Sequence, residues 1–202
     1  MSKVPPALVL ASASSARAQI LKQAGIKFLR DPAKIDEAVI KRDYKRRGKT
    51  ADDAAGALAK AKAKEVSARR SDSLVLGADQ ILECDNVWFD KPSDRDDAAT
   101  QLKALRGRTH ELITAACVVR NGRILWEHCE RTPLTMRPFS PPFLDNYLAK
   151  GGKAILESVG AYRLEGTGVQ LFSNIGGDYF TILGLPLMAL IGFLRFQGIL
   201  ED

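Results

Sequence analysis

The apolar positions fall into two rhythms. Short continuous runs predict buried strands: Val4 to Ala11, Leu74 to Leu76 resuming at Ile81-Leu82, and His110 to Val119. Elsewhere the spacing is helical: Ile20, Leu21 and Ala24 before Gly25, then Ala55, Leu58, Ala59, Lys62 and Val66, then Ala98, Leu102 and Leu105 before Gly107. Ser140-Pro-Pro opens a further helix through Tyr147 and Leu148, and Pro186 precedes a last one over 187–196. Phe28 to Ile35, Ile124 to Cys129, Thr132 to Arg137 and Val169 to Phe172 read as extended, and 160–168 as loop. Arg120-Asn-Gly-Arg123 predicts a hairpin, because Asn-Gly suits a type I′ turn. Strands and helices mix without strict alternation, so the pattern predicts an α/β fold with a mixed sheet.

The stretch 74–92 carries the sharpest chemistry. Gly77-Ala78 are small, and the strand reads as broken there, just before Asp79 and Gln80. Asp85-Asn86 predicts a turn, after which Lys91-Pro92 follows the return segment, so a hairpin would carry a lysine back towards the carboxylate. A carboxylate fixed on a strand can bind a divalent ion or take a proton from water, and a lysine can offset phosphate charge. Taken alone, the same residues make an ordinary strand–turn–strand surface element.

Ser12-Ala-Ser14-Ser-Ala-Arg17 sits between the first strand and first helix. Serine hydroxyls, free N–H groups at a helix start and an arginine fork together suit an anion, although a serine N-cap alone explains the serines. Asp36-Glu37 reads as a solvated turn that could also serve a magnesium ion sharing a phosphate. Thr50 caps a long helix, with Asp53 three residues on. Lys60, Lys62 and Lys64 on it cannot all face one ligand, since i and i+2 point apart.

At 202 residues, with 46% hydrophobic content, the chain makes one large domain or two small lobes. Its mean hydropathy is −0.12 and no apolar run reaches the roughly 20 residues that span a bilayer, so a cytoplasmic protein without membrane contact is expected. Three cysteines, without CxxC spacing, suggest neither zinc nor a disulfide framework, and the histidines His110 and His128 cannot build a metal site alone. A net charge of +6 favours anionic partners. The densest basic stretch, 41–49, would permit a nucleic-acid-binding module with 60–70, but Tyr44 is the one aromatic among those cations, too few for a platform that stacks bases, which disfavours that reading.

In order, Leu8-Val-Leu-Ala-Ser12-Ala-Ser14…Arg17, Asp36-Glu37, Leu58-Ala-x-x-Lys62-Ala63, Gly77-Ala-Asp79-Gln80, Lys91-Pro92, Leu105-x-Gly107-x-x-His110, Gly160-Ala-Tyr, Glu165-Gly166 and Gly177-Asp178…Gly184-Leu-Pro-Leu187 resemble the Maf family of nucleoside triphosphate pyrophosphatases. Each motif is weak alone; their joint order spans nearly the whole chain. The resemblance implies a mixed, twisted sheet in two lobes around a deep cleft, related to the ITPase fold. It implies cleavage between the α- and β-phosphates of a nucleoside triphosphate, a divalent metal such as magnesium or manganese, and a homodimer. By motif, Asp79 matches the general base, Ser12, Ser14, Arg17, Lys62 and Lys91 match phosphate-facing positions, and Glu37 with Asp79 matches metal positions.

The sequence also departs from the family pattern. The usual Ser-x-Ser-Pro-Arg-Arg is here Ser12-Ala-Ser14-Ser15-Ala16-Arg17, and Asp90 replaces the Gly common before Lys-Pro. Gln80 and Glu165 resemble the branch acting on 7-methylguanosine triphosphate rather than the dTTP/UTP branch, and a carboxylate at 165 could accept from guanine N1–H and its N2 amine. A modified-purine triphosphate is therefore the expected substrate. Hydrolysis of dTTP and UTP, or nucleotide sensing without turnover, are the alternatives.

Overall fold

The computed structural model describes residues 6–201. Val4 and Pro5, expected to open the first strand, lie outside them. Strand β1 (Leu8–Leu10) lies in parallel between β2 (Leu29–Arg30) and β3 (Leu74–Cys84), and β4 (Val87–Phe89) pairs antiparallel with the end of β3. With β5 (Thr109–Arg120), β6 (Arg123–Met136) and β7 (Phe172–Ile175), they form a seven-stranded mixed sheet of order β2-β1-β3-β5-β6-β7, with β4 beside β3. Helices α1 (Ser15–Gln23), α2 (Glu37–Arg46), α3 (Ala51–Ser67), α4 (Arg95–Leu105), α5 (Pro141–Gly151), α6 (Tyr179–Ile182) and α7 (Leu187–Phe196) complete the α/β fold.

The chain divides into two compact units, one of residues 1–80, 114–130 and 179–202, the other of 81–113 and 131–178. The first is built on β1 and the start of β3, apolar on both faces as a covered parallel strand must be. Leu8, Leu10, Leu74 and Leu76 pack with Ile20 and Leu21 of α1 and with Leu190 and Leu194 of α7, all 2% exposed or less. In the second, α4 buries Leu102 and Leu105. His110, Tyr162 and Phe172 form an aromatic cluster in which His110 Nε2 and the Tyr162 hydroxyl are 2.9 Å apart.

Several elements differ from the sequence expectation, each for a local reason. β3 is not broken at Gly77-Ala78: it continues from Leu74 to Cys84, with Asp79 inside it. Gly77 lets the strand approach a helix instead. Asp36-Glu37 is no free turn; the Asp36 carboxylate accepts from the Val39 N–H and caps α2. The extended stretch after Phe28 pairs over two residues only. Of the strand expected over Val169 to Phe172, residues 169–171 wind into a 3₁₀ turn over Thr167–Leu171, and only Phe172 pairs, opening β7. Tyr179–Ile182 is a single helical turn. The Asn121-Gly122 hairpin forms as expected, with φ of 51° and 71°.

Candidate active site

The first unit gathers most of the expected site residues. Lys62 projects from α3, whose Thr50–Asp53 capping box is present. Gly77 sets how near the helix comes to β3: a Cβ there would lie 2.8 Å from the Ala63 backbone nitrogen and closer still to the Ala59 carbonyl oxygen. Helix and strand are thus in backbone contact. This lets the Lys62 ammonium reach Asp79 Oδ1 at 2.5 Å and Glu37 Oε1 at 2.8 Å. The Lys62 and Asp79 side chains are 8% and 7% exposed, whereas Glu37 is half-exposed at the first turn of α2. Lys60 pairs with Glu127 at 2.7 Å, so only one of the three alternating lysines faces the carboxylates.

The second Asp79 oxygen, Oδ2, is buried with no hydrogen-bond partner. A carboxylate oxygen stripped of water and left unpaired is costly, so its lone pairs are poised for a ligand or a proton. Burial would raise the Glu37 pKa, but the charge and hydrogen bond of Lys62, with Lys41 and Arg17, outweigh it and hold the pKa below its ordinary value. Burial pulls the Arg17 pKa down, opposed by the negative charges of Asp79 and Glu37. A guanidinium does not lose its proton in proteins, so Arg17 stays charged.

The loop after β1 brings two serines against Arg17. Ser14 caps α1, its hydroxyl accepting from the Arg17 N–H. Ser12 Oγ accepts from the Ser14 N–H and from Arg17 Nη1, each at 3.2 Å. Arg17 Nε donates to the Gly184 carbonyl at 2.7 Å. Arg30 steadies the loop by donating to the Ser12 and Ala13 carbonyls. Gln80, next to Asp79, directs its amide nitrogen at Thr114 Oγ1 and at the Thr181 and Ile182 carbonyls.

Lys91 and Glu165 belong to the second unit. Lys91 is exposed just after β4, and Glu165 lies in an exposed turn, paired with Arg163 at 2.8 Å. Sequence reasoning missed Arg30, the Gly184 carbonyl and the two threonines. Thr114 did leave a signal: it interrupts the apolar run of β5, and a hydroxyl buried there needs a partner.

A nucleoside triphosphate pyrophosphatase of Paramagnetospirillum magneticum is 54% identical over 190 residues, covering 94% of this chain and 98% of that protein. A second protein of that name, from Granulibacter bethesdensis, is 50% identical across 93% of this chain and 95% of its own length. A 7-methyl-GTP pyrophosphatase of Rhizobium etli is 48% identical across 97% and 98%. The model of the Maf-like protein family matches residues 7–196, and the chain belongs to that family.

Proposed function

We propose that the protein is a hydrolase of nucleoside triphosphates, releasing the monophosphate and pyrophosphate, with a modified purine such as 7-methylguanine as the preferred base and a housecleaning role. The observation that carries the reading is the buried Asp79 carboxylate. One oxygen is held by Lys62, the other is unpaired, and Glu37 and Arg17 are beside them.

The chemistry requires water to bond to the α-phosphorus as the bridge to the β-phosphate breaks. Repulsion from the polyphosphate is the main obstacle, so catalysis rests on cationic positioning. Arg17, the Ser12 and Ser14 hydroxyls and Lys62 would bind phosphate oxygens. Asp79 Oδ2 would take the proton from water, because Oδ1 is already committed to Lys62. Glu165, with a lone pair beyond its Arg163 contact, would accept from a guanine edge.

The donor set also suits a hard divalent cation. Among the described residues no cluster of three or more His, Cys, Asp or Glu could hold a metal by itself. Magnesium is commonly held by one or two carboxylates together with substrate phosphates and water, and Glu37 and Asp79 are such a pair. Bound there, the ion would neutralise phosphate charge and acidify water.

Pyrophosphate release across a nucleotide panel, with magnesium or manganese, tests the reading. Turnover should be greatest with 7-methyl-GTP and fall roughly a hundredfold or more in Asp79→Asn, with triphosphate binding retained. Binding without turnover by the wild type would favour a sensor, and equal rates on all bases would remove the purine preference.

A further inference from the structure

Gln80 follows the Asp79 carboxylate directly, and a residue there invites a role in reading the base. Its hydrogen bonds point elsewhere. Backbone carbonyls only accept, so the side-chain nitrogen must face Thr181 O and Ile182 O, each 3.1 Å away. The same nitrogen is 2.8 Å from Thr114 Oγ1, whose own proton goes to Thr181 O at 3.1 Å. The protons balance: one amide hydrogen serves Thr114, the other is shared by the two carbonyls, and the threonine hydroxyl passes its hydrogen on. Both donors of the amide are thereby committed within the protein.

The clamped segment is α6, one helical turn, too short to be stable without tertiary contacts. The Thr181 carbonyl that receives Gln80 and Thr114 also accepts the Gly184 N–H at 3.0 Å. Gly184 has a φ of +101°, a conformation an L side chain rarely adopts, and so turns the chain sharply. Its carbonyl then faces Arg17 Nε at 2.7 Å. Hydrogen bonds therefore link Gln80 and Thr114 to the Thr181 carbonyl, that carbonyl to the Gly184 N–H, and, across the Gly184 Cα, the Gly184 carbonyl to the Arg17 guanidinium.

We propose that Gln80 is a positioning residue for Arg17, acting through the Thr181–Gly184 turn, and that Thr114 shares the role. The phosphate-binding part of this inference rests on the pyrophosphatase reading; the link to Arg17 does not. Gln80→Met removes both amide donors at similar length, and Thr114→Val removes the hydroxyl, with Thr114→Ser as the conservative control.

Two measurements test the proposal. Exchange of the Arg17 Nε–H with solvent, followed by ¹⁵N NMR in nucleotide-free protein, should accelerate about tenfold in Gln80→Met and less in Thr114→Val, and return towards wild type in Thr114→Ser. In kinetics, Gln80→Met should lower kcat/KM about tenfold, and add nothing once Arg17 is alanine. Unchanged exchange in a folded Gln80→Met protein overturns the proposal. So does an effect on kcat/KM that adds in full to Arg17→Ala. Should the wild type hydrolyse no nucleotide, the pyrophosphatase reading fails while the exchange measurement still decides the inference.

Discussion

Lys62 illustrates how much depends on one side chain. Its ammonium serves two carboxylates while almost wholly out of water. Removing one partner of such a buried arrangement costs more than the pair contributes, because the other charge is left unpaired. Lys62→Met should therefore lower unfolding free energy by about 3–5 kcal/mol, read from urea denaturation, besides suppressing activity. Lys60→Met, which loses only the half-exposed pair with Glu127, should change stability by no more than about 1 kcal/mol.

At the level of elements, the packing of α3 on β3 decides whether Lys62 can reach Asp79 at all. Gly77→Ala would drive a methyl group into the Ala59 and Ala63 backbone, which cannot swing aside as a side chain can. The helix must shift, at a cost of about 1–3 kcal/mol, typical of overpacking. The expected signature is a fall in Tm with a disproportionate loss of kcat, since the ammonium is moved away from the carboxylates. Thr50→Ala, which removes the capping box of the same helix at its exposed end, should cost about 1 kcal/mol and leave kcat nearly unchanged.

Acid stability and ligand linkage belong to the whole molecule. Burial lowers the His110 pKa from 6.5 to about 4, so its native form resists protonation. Above pH 6.5 both folded and unfolded forms are neutral and the group contributes nothing. As pH falls towards 4 only the unfolded chain gains the proton, and stability declines by about 3 kcal/mol in total. His110→Gln should flatten that part of the denaturation profile. Asp31 acts lower: hydrogen bonds from Arg69 and Arg70 reduce its pKa from 3.8 to about 2. The stability it contributes is complete above 3.8 and vanishes as pH drops through 2. A triphosphate bound with its metal only to the native state should raise stability by about 2.7 kcal/mol at a hundred times its Kd, a shift that calorimetry would detect.

Local chemistry left clear marks in the chain. The covered strands, the Thr50 cap, the Asn121-Gly122 turn and the run of motifs from Ser12 to Leu187 were all legible, because propensity and spacing act over a few residues. The strand passing unbroken through Asp79, the capping of α2 by Asp36 and the helical turn at 179–182 were not, because each is settled by a partner or a packing surface. Tertiary structure alone decided that Lys62, which the spacing had placed on the buried face of α3, bridges Asp79 and Glu37, and that Gly184, 167 residues from Arg17, supplies its acceptor. The physical reason is that pattern fixes which face of an element is buried, while the contact that leaves one carboxylate oxygen bound and the other bare depends on how closely two backbones approach.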